Sequence, residues 1–177
     1  MDGREGTVSK RADVLADRVA QGHRELIALG EALSETEWRS LCPNEGRTVG
    51  VLVHHVATVL PGELGMIQAV ASGQPVTGVT PELLDQINAQ HAEDYADCSR
   101  EETLELLRGN SALVVDAIRA LSDAELDQAA SVSLHWDAPL TAQYLIEDHP
   151  LAHTYQHLAS IRAALSADAR FPADVVG

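Results

Sequence analysis

Aromatic residues are scarce, at 3% of the 177 residues. Sandwiches and barrels lean on aromatic and β-branched side chains, so this scarcity argues against an all-β core. Cysteine is nearly absent: Cys42 and Cys98 lie far apart and form no ligand motif. We read them as reduced thiols of a cytoplasmic protein. Basic residues are few, with 12 Lys and Arg against 27 Asp and Glu and a formal net charge of -15. Such a surface repels phosphate, so neither nucleic acid nor a membrane is an expected partner. No apolar stretch is read as long enough for a membrane span. The N-terminus, MDGREGTVSKRAD, has no hydrophobic region of the signal-peptide kind. There is no Gly-rich phosphate loop, no GxSxG motif, no repeat and no low-complexity tract.

What is present is Ala, Val and Leu at helical spacing, within a hydrophobic share of 45%. Val14, Leu15, Val19, Leu26 and Leu29 form one stripe and predict a helix over about 9–33. Ser34 followed by Glu37 is a capping box for a short turn. Pro43, Asn44 and Gly46 mark a loop. Thr48 caps a second helix, expected to reach about residue 72 with a kink at Pro61. Thr80-Pro81 starts another helix, to about residue 97. Ser99 with Glu102 caps the next, to about 121. Residues 129–136 lack a helical period and read as extended. The last helix is expected over about 139–165, disturbed at Pro150, with a frayed tail after about 167. The fold class is therefore all-α. It is a four-helix bundle with a long connection between helices 2 and 3 and a non-helical segment before the last helix, in one domain over 1–177.

Histidine is abundant, with eight in the chain. His149, His153 and His157 recur every fourth residue, and side chains four apart on a helix stack on one face. Ile146, Ile161, Ala164 and Leu165 share that face, so the stripe points at the core. Unpartnered imidazoles are costly there, and a metal ion satisfies them. A third ligand is expected from the second helix. Of the adjacent pair His54 and His55, His55 shares its face with Val51, Leu52, Val59 and Met66, whereas His54 falls with Arg47 and Thr58. The expected metal ligands are thus His55, His153 and His157, with His54 on the rim and His23 and His91 on the surface. Three histidines leave an open coordination position, which favours chemistry over a purely structural ion. Imidazoles suit zinc or nickel foremost, with cobalt and iron as alternatives. Asp148, Glu147 and His149 are candidates for orienting a ligand. Tyr144 and Tyr155 are candidates for lining the pocket, and His135-Trp136 for a lid or a plug at the bundle end.

Trp38 and the run Arg47-Thr48-Val49-Gly50 through His54-His55-Val56-Ala57 resemble the T-V-G-x-x-x-x-H-L-A segment of DinB-like proteins. His153-Thr154-Tyr155-Gln156-His157, continuing to Ile161-Arg162, resembles their last-helix H-x-x-Q-H-x-x-x-I-R segment. The resemblance implies a four-helix bundle, often dimeric, with a three-residue metal site in which His55 rather than His54 is the ligand. It also implies kinship with mycothiol-dependent maleylpyruvate isomerases and thiol S-transferases. Some relatives carry an acidic ligand where this chain has His153, and the all-histidine form leans toward the transferases. The expected function is a metal-dependent, mycothiol-type S-transferase or isomerase acting on a small-molecule electrophile, as a homodimer. The alternative is a non-catalytic metal-binding or stress-related bundle.

Overall fold

The computed structural model describes residues 9–170. Four long helical rods make the bundle. They are α1 (Lys10–Ala32), α3 (Val49–Ala71), α5 (Arg100–Arg119) and a composite rod. The composite runs from α7 (Ala142–Ile146) through a π-helical segment (Glu147–His153) into α8 (Thr154–Arg170). Shorter helices α2 (Glu35–Trp38), α4 (Pro81–Asp94) and α6 (Asp123–Asp127) fill the connections. Fully buried Leu26, Leu52, Leu107, Ile118, Leu145 and Leu158 meet between the rods. Truncating any one of them to Ala costs about 2–5 kcal/mol.

The helix starts follow from local chemistry. Ser9, Thr48, Thr80 and Ser99 each accept a hydrogen bond from the backbone N–H three residues on. Ser34 and Ser122 form complete capping boxes with Glu37 and Glu125. The loop expected at Pro43–Gly46 is a hairpin between β1 (Leu41–Cys42) and β2 (Arg47–Thr48). The extended segment before the last rod is a second hairpin, β3 (Ala129–Val132) with β4 (Ala138–Thr141). Val76 bridges to Val132 and ties the α3–α4 loop onto it. Gly50 explains the spacing of its motif. A Cβ there would collide with the Trp38 indole nitrogen and stand 2.6 Å from its Cε2, and that indole donates to the Cys98 carbonyl at 3.2 Å.

The two internal prolines end differently. Pro61 lies inside α3, which runs on through it. The Ala57 carbonyl that Pro61 cannot serve accepts instead from the Asn110 side chain at 2.8 Å. Pro150 cannot serve Ile146, and there the ladder widens to π-type bonding over Glu147–His153. The disturbance expected at Pro150 is this π segment, whereas the expected helix start at residue 139 is corrected: Pro139 lies in β4, and the rod has three parts. α8 continues to Arg170, and the rest of the tail expected to fray lies outside the described residues. A second correction concerns α3, which is long and apolar enough to cross a membrane by length and composition. Its most apolar window is 61% buried inside the bundle, as the central core helix of this fold must be.

Candidate metal centre

α3 delivers His55 and the composite rod delivers His153 and His157 to one point. His55 Nε2 lies 3.3 Å from His153 Nε2, and His153 Nε2 lies 2.9 Å from His157 Nε2. One ligand atom from each of the three lies within 4.8 Å of the others. His55 and His157 are buried and His153 is half-buried.

Two carboxylates dictate which nitrogens converge. Glu63, two turns beyond His55 on α3, takes His153 Nδ1 at 3.1 Å. Glu45, in the first hairpin, takes His157 Nδ1 at 3.2 Å and Arg47 at 3.3 Å. A carboxylate only accepts, so both imidazoles donate from Nδ1 and, when neutral, present bare Nε2 lone pairs. Two such lone pairs 2.9 Å apart repel unless an electrophile lies between them. Nitrogens on a tetrahedral ion at about 2.1 Å stand about 3.4 Å from one another, close to the spacing seen. The donor set fits a divalent metal.

The electrostatics keep His55 and His157 neutral. Burial first, then His153 and His157, lower His55 to about 2. Burial and His153 lower His157 to about 4 despite Glu45. Burial pushes the Glu45 carboxyl up, but Ser160, His157 and Arg47 outweigh it and hold the group below its ordinary value. The site opens onto a cavity of about 630 Å³. Its walls include Val59, Met66, Val79, Leu84, Ile87 and Leu134, with Gln156 as a polar contact.

Several expected positions are corrected. His54 is buried rather than on the rim, because α4 folds over that side. Its ring stacks on Tyr95 at 4.0 Å, and its Nδ1 lies 2.8 Å from His91 Nε2. His91 is half-buried and lines the cavity. His23 is wholly buried between α1 and α5, with Nδ1 2.8 Å from the Ser111 hydroxyl. Burial lowers it to about 4. Tyr155 turns outward to Glu25 at 3.2 Å, and Tyr144 only edges His135. Trp136 is 85% exposed and neither plugs nor covers the bundle end; Leu134 reaches the cavity from that hairpin. The orienting role expected of residues 147–149 falls to Glu63 and Glu45. Glu63 had a signal in the sequence, as the one charged residue of an apolar helix. Glu45, in a polar turn, had none.

A family model described as the mycothiol maleylpyruvate isomerase N-terminal domain matches residues 19–142. That span includes His55 and stops short of His153 and His157. The solved structure of YfiT from Bacillus subtilis is similar in fold, with a TM-score of 0.69 and 16% identity. The match covers 96% of this chain and 93% of that one. YfiT is described as a probable metal-dependent hydrolase with an unusual four-helix bundle topology. No curated protein matches.

Proposed function

The chain belongs to the mycothiol maleylpyruvate isomerase N-terminal domain family, and on that premise we propose a metal-dependent enzyme that uses a mycothiol-type thiol. It acts as an S-transferase or isomerase on a small electrophile. The observation carrying this reading is the convergence of three Nε2 atoms beside an apolar cavity. His55, His153 and His157 would hold zinc or nickel. A divalent ion in such a site lowers the pKa of a thiol or water and supplies a nucleophile at neutral pH. Glu63 and Glu45 fix the ligand tautomers, so little reorganisation is needed on binding. The apolar walls exclude water and leave room for a small electrophile. A bundle that merely stored metal, or served a stress role without catalysis, would need no such cavity.

One observation favours a second reading. Among the described residues lining the cavity there is no lysine or arginine, whereas Glu63 and Asp148 are both there. That wall does not attract an anionic thiol, and water as nucleophile would make the chain a hydrolase, as YfiT is described. An assay of the zinc- or nickel-loaded protein with a fluorogenic electrophile and an ester, with and without mycothiol, separates the readings. Thiol-dependent, chelator-sensitive turnover is the expected result. Chelator-sensitive turnover without thiol establishes the hydrolase instead, and no metal-dependent turnover overturns both.

A further inference from the structure

The composite rod carries a second constellation. His135 ends a 3-10 turn, Ser133–His135, in the second hairpin, and Asp148 and His149 stand in the π segment. The every-fourth-residue spacing places His149 in line with His153 and His157, but the wide π turn sends it toward His135. His135 Nε2 lies 3.7 Å and His149 Nε2 3.8 Å from the same oxygen, Asp148 Oδ2. Both distances are beyond a hydrogen bond. Both Nε2 atoms are sealed from solvent and have no hydrogen-bond partner. Buried polar atoms without partners are rare and call for a specific cause.

We infer that His135, Asp148 and His149 form a second divalent-metal site on the wall of the same cavity, taking a first-row transition ion such as zinc, cobalt or iron(II). One ligand atom from each lies within 4.8 Å of the others. N and O ligands about 2.1 Å from one ion stand about 3.0–3.4 Å apart, so each imidazole must close on Asp148 by roughly half an ångström. Two imidazoles and a carboxylate with open positions suit these ions, whereas magnesium and calcium prefer all-oxygen shells. Asp148 is half exposed and, with His149, lines the cavity, so an ion can enter and keep open positions there.

The site bears on the chemistry next to it. Glu63, beside His153, keeps one carboxylate oxygen buried without a partner and faces His149 electrostatically. A cation on Asp148 turns this acidic wall into one that accepts an anion, which removes the obstacle to a thiol co-substrate. That consequence rests on the thiol reading; the site does not.

The test is to dialyse the metal-free full chain against micromolar cobalt(II) chloride and count bound ions. The natural protein is compared with Asp148→Asn, His135→Gln and His157→Ala, with circular dichroism confirming helix content. Two ions per chain are expected in the natural protein. One should remain in Asp148→Asn and in His135→Gln, and that one should disappear when His157→Ala is added to either. Equal loading of the natural protein and of both Asp148→Asn and His135→Gln overturns the inference. A single ion lost in Asp148→Asn but kept in His157→Ala supports this site and sinks the triad instead. Two separate variants on the cluster keep the test decisive should one fail to fold.

Discussion

Helices α1 and α3 have the same length, 23 residues each, and opposite designs. α1 is a charged rod with one apolar face. Its outer side makes ion pairs to α5 and the π segment, Arg119–Asp17 at 2.6 Å and Arg18–Glu147 at 3.3 Å. Exposed pairs of this kind contribute about 0–1 kcal/mol each. α3 has one charged side chain, Glu63, and that one is buried. Each helix also buries histidine. His23 on α1 is met at Nδ1 by a neutral hydroxyl, while its Nε2 is buried with no hydrogen-bond partner. His55 on α3 is met by the bare nitrogen of His153, an unfinished contact. One helix is built for stability. The other gives up stability for a site that only a ligand completes.

The largest effect that could break this contrast is loss of metal. His55→Ala, His153→Ala and His157→Ala should each remove the ion held by the triad, whereas His54→Ala and His23→Ala should retain it. Elemental analysis after desalting decides, and full retention in His153→Ala would sink the triad as drawn. Glu63→Gln comes next. It keeps a hydrogen-bond acceptor for His153 but removes the charge, so metal affinity should fall about 10–100-fold while the fold persists. A competition titration with a chromophoric chelator reads it; unchanged affinity would make Glu63 a packing residue.

The smallest effect sharpens the α1 side. His23 has its folded pKa lowered to about 4 from 6.5. Below pH 6.5 the unfolded chain takes up a proton that the folded chain refuses. Its stabilisation is therefore intact above pH 6.5 and is lost as pH falls toward 4, up to about 3 kcal/mol. Urea unfolding of the chelated protein across this range should show a steeper acid slope than His23→Leu does. Parallel slopes would mean that His23 is hydrated or protonated in the folded protein.

Much of the fold was legible because caps are local. Ser34 with Glu37, Ser122 with Glu125, and Thr80 before Pro81 each specify a helix start within four residues. The grouping of His55 with His153 and His157 was legible for the same reason, since face-sharing along one helix favours His55 over His54 and pairs His153 with His157, although His54 is buried as well. The π segment was not legible. Pro150 announces a disturbance, yet Pro61 announces an equal one and α3 absorbs it. The difference is that Asn110, from another helix, satisfies the freed carbonyl at Pro61.

By itself the sequence determined most of the helix starts, the all-α class and the pairing of His153 with His157 on one face, because these depend on residues a few positions apart. Tertiary structure alone decided the rest. It buried His23 against Ser111 and His54 under α4, brought Glu45 from a hairpin to His157 across 112 residues of chain, and turned His149 toward His135 and Asp148. Burial and partner choice are properties of surfaces that meet only after folding, and no local pattern in the chain records which surface will arrive.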